Sequence, residues 1–429
     1  MIRKTLMEVL RMADLEELID ALSEPGFYPH EPDQVEIRQT DSSVVFLAGD
    51  RVYKLKKPLN TQRQNYSTPA RRRRMCNLEV ELNSRLSPDL YQGVHRVTRR
   101  RDGYVLNGRG KVLDYLIEMR RLDDNRRLDH LIEKGKVGEE EMRLVAHHLV
   151  EFHRNAERRQ LINSFSRPHI IARQWNRRLR ESSEFVGSIC SPESYTEIVT
   201  FASNFLTENR GVIQSRIDKG YICDGHGALH TGHIYLQDGV QVIDCVEYND
   251  RRRYGDIAHD IAGLGLSLDK HGAPDLTKIL VAEYEAISGL ELSPLLDFYL
   301  CYRAHDRALR LSKLANRPEI ALEAHQRLAR EAQTYYHLAD RYARGVRQPV
   351  LIVLSGVMGV GKSRLAEALS KVLSIQCLQA TESPKTFRDS AKSEKANDEG
   401  AKVYDDLLKQ AAERLEQGRS IILNATFHT

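Results

Sequence analysis

Apolar and polar positions alternate near the start of the chain in the way that β-strands require. Apolar side chains dominate residues 43–48, and a second β-rich run covers residues 51–58. The Gly49-Asp50 pair between the runs is a hairpin signal, because both residue types accept the backbone angles of a tight turn. Lys54 lies in the second run with an apolar residue two positions earlier, so both side chains are expected on one face. The pattern predicts an antiparallel hairpin that presents this lysine.

Farther along, the apolar spacing is that of helices. The predicted helices are Arg71–Leu86, Glu139–Arg158, Glu193–Thr207, Leu276–Ile287 and Glu319–Arg344. A non-helical stretch before the fourth of them is rich in glycine and histidine over residues 224–233 and continues as two short strands joined by a turn at Asp238. The second strand ends at Asp244. Phosphotransferases place their catalytic loop and metal-binding carboxylate in this order.

The C-terminal part of the chain carries a strand, a glycine-rich turn and a helix in succession. The strand is predicted over Val350–Leu354, the helix over Ser363–Leu373, and the glycines between them are Gly356, Gly359 and Gly361. With Lys362 and Ser363 the turn completes a phosphate-binding loop motif. The glycines let backbone N–H groups approach phosphates, the lysine reaches the β- and γ-phosphates, and the serine hydroxyl ligates Mg²⁺. This motif predicts ATP or GTP binding.

The segment after this loop is expected to form only a small sheet. A strand near Ile375–Leu378, a helix over Ala401–Gln417 and a strand over Ser420–Phe427 complete it. P-loop sheets commonly have about five parallel strands, and two or three are predicted for this one. Asn424 stands where a Mg²⁺-associated aspartate is expected, and an amide lacks the charge that holds a hydrated cation. The P-loop domain is therefore expected to be truncated and to lack part of its catalytic machinery.

Composition adds the class of protein and its surroundings. The chain has 429 residues, a length at which two or three domains are expected. Its net charge is +4, and its hydrophobic content of 41% is typical of globular proteins. It has no apolar run long enough for a membrane span and no signal-peptide pattern. Its six cysteines lack metal-ligand or disulfide spacing. We expect a cytoplasmic protein with reduced thiols, no membrane association and, since its arginine runs lack a nucleic-acid module, no nucleic-acid partner.

The order of the motifs resembles the aminoglycoside-phosphotransferase (protein-kinase-like) family. The residues that carry the resemblance are Lys54, a helix glutamate at Glu79 or Glu81, the loop His226–His233, Val242–Asp244 and Tyr254–Ala262. Over nearly the whole chain the sequence looks more closely like bacterial two-domain proteins that fuse such a domain to a P-loop ATP-binding domain. The resemblance implies an α+β kinase-like domain over residues 1–345, with a β-rich N-lobe and a helical C-lobe. A partial α/β P-loop domain over residues 346–429 follows it.

The same resemblance implies ligands and roles. The expected cofactors are ATP and Mg²⁺, and the expected phosphate acceptor is a small hydroxylated metabolite. Lys54 would hold the phosphates with Glu81 orienting it, and Asp244 would hold the metal of the N-terminal site, as Ser363 would in the P-loop domain. His226 and His230 are expected to shape their loop by hydrogen bonds to the backbone.

Two positions depart from the family pattern. Ala228 replaces the expected catalytic aspartate, and His233 replaces the expected metal-binding asparagine. Because alanine cannot accept a proton, loss of this group would cost on the order of 10²–10⁴ in rate unless Asp224, four residues earlier, takes its place. The functions left open are an ATP-dependent phosphotransferase or ATPase, a non-catalytic pseudokinase that responds to nucleotide, a shortened gene product with an unpaired sheet edge, and a nucleic-acid-binding protein.

Overall fold

The computed structural model describes residues 15–61, 64–101, 103–345, 350–356, 360–373, 376–379, 394–416 and 420–424. They divide into two compact units, of which the first contains residues up to 171 together with 210–296, and the second contains 172–209 together with residues from 297 onward. This division differs from the predicted boundary near residue 345, which stays a prediction.

An antiparallel sheet of six strands forms the first lobe of unit one. Its strands are β1 (Val35–Gln39), β2 (Ser43–Ala48), β3 (Arg51–Lys56), β4 (Tyr91–Arg100), β5 (Gly103–Leu106) and β6 (Lys111–Arg120). Their order across the sheet is β1-β2-β3-β6-β4-β5. A helix, α1, of which residues 15–23 are described, packs against one face with Leu18 and Leu22 buried. The β-rich lobe that the family resemblance implies is therefore confirmed.

The predicted hairpin forms between β2 and β3. Ala48 pairs with Arg51, so Gly49 and Asp50 make a two-residue turn, and Gly49 has a φ of 64°. That left-handed conformation costs glycine little and strains other residues. The alternation also holds in three dimensions, since Val44, Phe46 and Leu55 are completely buried in one apolar cluster. The hairpin thus fixes the register in which β3 presents its lysines.

Helices make up most of the remaining chain. In unit one they are α2 (Pro69–Ser84), α3 (Leu128–Glu133), α4 (Glu139–Asn155), α5 (Gln160–Ser164), α8 (Arg210–Asp218), α9 (Asp250–Arg253), α10 (Ile257–Lys270) and α11 (Pro274–Ser288). The other described helices are α6 (Pro168–Ser182), α7 (Pro192–Glu208), α12 (Ser293–Ala315), α13 (Leu322–Ala343), α14 (Lys362–Leu373) and α15 (Glu394–Glu416). Each predicted helix is present within a few residues of its expected bounds, except that α15 begins at Glu394 instead of the expected Ala401. None of these described helices is both long and apolar enough to cross a bilayer.

Short strands surround the glycine- and histidine-rich loop of unit one. They are β7 (Ile222–Asp224), β8 (Ile234–Leu236), β9 (Val240–Val242) and β10 (Tyr254–Asp256). β8 and β9 pair antiparallel through a turn in which Asp238 and Gly239 have φ values of 52° and 91°. β7 pairs antiparallel with β10. The loop therefore starts from one small ladder and enters another, and both ladders hold its ends in place.

The core of unit two contains an aromatic cluster between α6, α7 and α12. The Trp175 ring lies 5.9 Å from that of Phe298, and the Phe205 ring is stacked on Phe298 at 4.3 Å between centroids. His305 lies in the same core, completely buried, with its Nε2 atom 2.9 Å from the Ser182 hydroxyl oxygen. Burial lowers the pKa of His305 to about 4.

The buried His305 predicts that unit two loses stability in mild acid. The unfolded chain takes up a proton at this side chain near pH 6.5, whereas the folded chain does so only near pH 4. The contribution is present above the unfolded pKa and is lost as the pH falls through this interval, by about 3 kcal/mol at most. Urea unfolding at pH 7.5, 5.5 and 4.5 should show a smaller decrease in His305→Gln than in wild type. The exposed His147 provides a control, and an equal decrease in wild type and His305→Gln would contradict the assignment.

The C-terminal segment of unit two contains a parallel three-stranded sheet. Its strands are β11 (Leu351–Leu354), β12 (Gln376–Gln379) and β13 (Ile421–Asn424), in the order β11-β13-β12. The central strand is buried, and Ile421 and Leu423 pack against Ala411 of α15. A parallel sheet with helices between its strands is the predicted α/β arrangement, with three strands among the described residues.

Candidate functional site

The first candidate site is built around Lys54 on β3. Its Nζ atom donates hydrogen bonds to Glu79 Oε1 on α2 at 2.7 Å and to Asp244 Oδ1, after β9, at 2.8 Å. Glu79 is buried, whereas the Asp244 side chain is about half exposed, at 50%. A strand lysine paired with a helix glutamate, beside an exposed aspartate, is the arrangement with which kinase-type clefts hold phosphates and a metal ion.

Opposite charges at close range determine the ionisation of this cluster. Burial alone would lower the pKa of Lys54, but the Asp244 and Glu79 carboxylates raise it well above its ordinary value. The Lys54 ammonium in turn lowers the pKa of Asp244 despite burial around it. Burial would raise the pKa of Glu79, but Lys54 and Lys56 lower it. All three groups are therefore charged at neutral pH, as a site for polyanionic phosphates and a cation requires.

A second lysine completes a network that sequence reasoning did not assign. Lys56 is almost fully buried, and its Nζ atom contacts Glu79 Oε2 at 2.5 Å and Glu247 Oε1 at 2.6 Å. The Tyr66 hydroxyl donates to the same Glu247 oxygen at 2.8 Å. With two lysines on one carboxylate, Glu79 is held in position even when Lys54 turns toward a ligand. The repeated lysine spacing on β3 was the available signal in the sequence.

The choice of Glu81 as the orienting glutamate is corrected. Glu81 is exposed, and Glu79 is the residue of α2 that contacts Lys54. Two positions along an α-helix are about 200° apart, so the two glutamates point to different faces. Glu79 shares its face with the buried Cys76 and Leu82, which places it toward the sheet.

Asp260 on α10 holds the glycine- and histidine-rich loop. Its carboxylate accepts backbone hydrogen bonds from His226 at 2.5 Å and from Gly227 at 2.9 Å. Burial would raise the pKa of Asp260, but the His153 imidazole, whose Nε2 atom lies 3.5 Å from Asp260 Oδ2, lowers it. Gly227 has a φ of 81°, and a Cβ atom there would lie 2.7 Å from the Arg252 carbonyl oxygen. Only glycine fits this position without a shift of the backbone.

The same loop places Ala228 and His233 at the positions that depart from the family pattern. Ala228 is partly exposed and supplies only a methyl group. The His233 Nδ1 atom lies 3.1 Å from the Ala228 carbonyl oxygen, and its Nε2 atom lies 3.6 Å from Asp244 Oδ2. Burial lowers the pKa of His233. The described loop therefore lacks the catalytic carboxylate and brings an imidazole to the aspartate instead.

The two other loop histidines act on the backbone, as predicted. His226 Nε2 contacts the Ile243 carbonyl oxygen at 2.9 Å, and His230 Nδ1 accepts from the Gly232 N–H at 3.1 Å. Burial lowers the pKa of His226 to about 4. A neutral His226 therefore joins the loop to the strand that ends at Asp244.

Asp224 does not replace the missing carboxylate. It is buried on β7, and its two oxygens contact Arg253 at 2.7 and 3.3 Å. Arg85 lies 3.6 Å away on another side. A buried, doubly paired carboxylate is a structural element, and freeing it for proton transfer would leave Arg253 without this partner. The basic run that contains Arg253 is thus partly explained by internal ion pairing.

The second candidate site is the P-loop between β11 and α14. Gly356 and Gly361 have φ values of 147° and 90°, in the left-handed half of backbone space where other residues are strained. α14 begins at Lys362, so the first N–H groups of the helix face the loop. The Lys362 Nζ atom donates to the Gly356 carbonyl oxygen and closes the turn. Gly359 lies outside the described residues.

Ser363 and Asn424 meet at the carboxyl end of the parallel sheet. The Asn424 amide nitrogen lies 3.3 Å from the Ser363 hydroxyl oxygen, and Asn424 is buried at the end of β13. Asn424 therefore occupies the strand end where the sequence predicts a metal-associated carboxylate. Its amide oxygen is a possible Mg²⁺ donor, but it brings no charge.

The residues of the kinase-like site fit a divalent cation in part. Asp244 offers a half-exposed carboxylate, and the second donor is an imidazole instead of the amide oxygen that Mg²⁺ prefers. At the P-loop the fit to a nucleotide is better, because positive-φ glycines and a helix start surround Lys362. Among the described residues no group of three or more metal-binding side chains converges.

The fold and the two sites define a class of protein: a kinase-like domain, with an antiparallel sheet lobe and a helical lobe, joined to a P-loop-type domain. The family model described as an AAA domain matches residues 351–429. The chain is 30% identical over 412 residues to Uncharacterized protein Rv2004c of Mycobacterium tuberculosis, a match that covers 92% of this chain and 78% of the relative. Uncharacterized protein Mb2027c of Mycobacterium bovis matches with the same identity and coverage. The chain belongs to the same family as these mycobacterial proteins.

Solved kinase structures are similar at a lower level. Glucosamine kinase (crystal form A) has a TM-score of 0.40 and 16% identity, over 72% of this chain and 74% of that chain. The GDP complex of aminoglycoside 2′-phosphotransferase-IIIa has a TM-score of 0.43 and 12% identity, over 74% and 98%. The microcompartment-associated aminopropanol kinase has a TM-score of 0.45 and 13% identity, over 76% and 96%.

Proposed function

We propose that this protein binds ATP at two sites and is related to small-molecule phosphotransferases. The observation that carries the proposal is the contact of Lys54 with Glu79 at 2.7 Å and with Asp244 at 2.8 Å. The Lys54–Asp244 pair has little structural purpose, because the Asp244 side chain is 50% exposed and ion pairs at such positions stabilise a fold weakly. In a nucleotide-binding site, by contrast, Lys54, Glu79 and Asp244 each have a role.

In the kinase-like site Lys54 binds the phosphates and Glu79 fixes its orientation. Asp244 holds the divalent cation that accompanies the nucleotide, which neutralises phosphate charge when bound. In the P-loop domain the backbone around Gly356 and Gly361 surrounds the phosphates. Gly359, which lies outside the described residues, is proposed as part of the same site from its place in the sequence motif. Lys362 contacts their oxygens, and Ser363 holds Mg²⁺. The proposed domain boundary lies near residue 345. The proposed environment is the reducing cytoplasm, which agrees with six free cysteines.

The reaction class of the proposed function is transfer of the γ-phosphoryl group to a small hydroxylated molecule or to water. The acceptor oxygen forms a bond to the γ-phosphorus while the bond to the β,γ-bridging oxygen breaks, and the acceptor loses its proton. Ala228 supplies no carboxylate for that proton. We therefore expect the kinase-like site to bind ATP well and to turn it over slowly.

A second candidate function follows from the same position. A kinase-like domain that keeps Lys54, Glu79 and Asp244 but has a methyl group at Ala228 is suited to a non-catalytic role, in which bound nucleotide changes the contacts with a partner. The two candidates share the nucleotide site and differ in turnover.

Mass-spectrometric detection of ADP separates the two candidates. Purified protein is incubated with ATP and Mg²⁺, with and without a pool of hydroxylated metabolites. For the first candidate we expect ADP above a no-enzyme blank and a metabolite-dependent increase that Asp244→Asn removes. For the pseudokinase we expect ATP binding with no metabolite-dependent ADP. Absence of nucleotide binding in the presence of Mg²⁺ would overturn both.

A further inference from the structure

The His233 imidazole and the Asp244 carboxylate face each other without a hydrogen bond. The His233 Nε2 and Asp244 Oδ2 atoms are 3.6 Å apart, which is longer than a hydrogen bond between these groups. The other carboxylate oxygen, Oδ1, is occupied by Lys54 at 2.8 Å. Oδ2 and Nε2 are therefore two further atoms at the edge of the cluster that can donate an electron pair to a metal ion.

The contact of the other ring nitrogen, Nδ1, determines the tautomer of His233. The His233 Nδ1 atom lies 3.1 Å from the Ala228 carbonyl oxygen, and a carbonyl can only accept a hydrogen bond. Nδ1 therefore carries a hydrogen, and in the neutral ring Nε2 keeps its lone pair. Two electron-pair donors then face each other, and a metal cation bound between them would stabilise this arrangement. Histidine ligands in metal sites commonly donate their second N–H to a backbone carbonyl in this way.

Backbone strain is present at the same place. Asp244 has a φ of 63°, in the left-handed region that non-glycine residues seldom adopt. Such strain is concentrated at functional sites, because the surrounding structure must hold it. At this position the strain directs one carboxylate toward both Lys54 and His233.

We propose that His233 Nε2 and Asp244 Oδ2 together ligate a divalent transition-metal ion, and that this site selects such an ion over Mg²⁺. Two donors about 2.1 Å from one ion and about 109° apart are about 3.4 Å from each other, so a shift of about 0.2 Å completes the geometry. Phosphate oxygens of the bound nucleotide and water supply the remaining ligands. The inference rests on the proposed nucleotide site.

The donor set explains the selection. Mg²⁺ prefers six oxygen ligands, whereas imidazole nitrogen suits later first-row ions such as Co²⁺, Ni²⁺ and Zn²⁺. An asparagine at position 233 would offer an amide oxygen and restore the preference for Mg²⁺. A single residue, His233, thus sets which metal–nucleotide complex the kinase-like site accepts.

The test uses Co²⁺, whose visible absorption reports nitrogen ligation. The full chain carries Lys362→Ala so that the P-loop does not contribute, and ADP is titrated by calorimetry in Co²⁺ and in Mg²⁺. We expect binding that is about tenfold tighter or more with Co²⁺, and an absorption change when Co²⁺ and ADP bind together. In His233→Asn the Co²⁺ advantage and the absorption change should both disappear. His147→Asn removes an exposed histidine from α4 and should change neither.

Asp244→Asn provides a second variant whose effect does not depend on histidine. It should weaken ADP binding with both metals and remove the Co²⁺ absorption change, while circular dichroism confirms folding. If ADP binds with equal affinity in both metals and His233→Asn leaves the Co²⁺ spectrum unchanged, the selection is overturned and the nucleotide site stands. If ADP binds with neither metal, the kinase-like nucleotide site of the proposed function fails, because Lys362→Ala already removes the P-loop from this test.

Discussion

Replacing Lys362 with alanine is expected to remove one of two nucleotide-binding events and to leave the other. In wild type we expect calorimetry with ADP and Mg²⁺ to require two sites per chain. Lys362 begins α14 and bonds to the Gly356 carbonyl oxygen, so its ammonium lies at the loop. Loss of a charge-assisted contact of this kind costs about 2–5 kcal/mol, which corresponds to a loss of affinity of roughly 30-fold or more.

Matched variants make this result specific. Arg364→Ala removes an exposed positive charge two residues farther along α14 and should leave both binding events in place. Lys54→Met should weaken nucleotide binding at the kinase-like site and leave binding at the P-loop in place. The variant does not leave Glu79 unpaired, because Glu79 keeps its contact with Lys56 at 2.5 Å. An identical two-site isotherm in Lys362→Ala and wild type would show that the P-loop does not bind nucleotide. Equal loss in Arg364→Ala would show that the effect is only one of net charge.

Local patterns made much of this fold predictable. The Gly49-Asp50 turn, the alternation on β2 and β3, and the strand, turn and helix of the P-loop are each specified by one continuous stretch of sequence. The phase of α2 was equally available, since Cys76 and Leu82 lie three residues on either side of Glu79 and mark its buried face. This helical period indicates Glu79 and argues against the predicted Glu81.

Contacts between distant residues were not predictable in the same way. Lys56 and Glu247 are 191 positions apart, and Asp260 reaches a loop 34 positions away. No periodicity records such a pairing, so the second lysine and the support of the loop appeared only in three dimensions. The position of His233 beside Asp244 belongs to the same kind of information. The sequence shows that residue 233 is a histidine, but it does not show that the Nε2 atom faces the Asp244 carboxylate.

Restoring Ala228→Asp and His233→Asn together is expected to produce phosphoryl transfer. Ala228 is partly exposed, so a carboxylate at this position does not have to be buried in the core. The aspartate would orient the acceptor hydroxyl and take its proton, and the asparagine would give the site the oxygen donor that Mg²⁺ prefers. General-base catalysis contributes about 10²–10⁴ in rate, so metabolite-dependent ADP production should increase by a factor in that range.

The double variant Ala228→Asn with His233→Asn is the control that separates the effect of the new carboxylate from the effect of side-chain volume. Asparagine has nearly the volume of aspartate and cannot take a proton, so this control should bind ATP and remain as slow as wild type. The increase in the aspartate variant should also disappear when Asp244→Asn is added, because transfer then lacks its metal ligand. If wild type already equals the restored variant, the proton is taken by another group and Ala228 does not limit catalysis. If neither transfers phosphate although both bind ATP, the cleft lacks more than its base, and nucleotide binding without transfer becomes the better account of this domain.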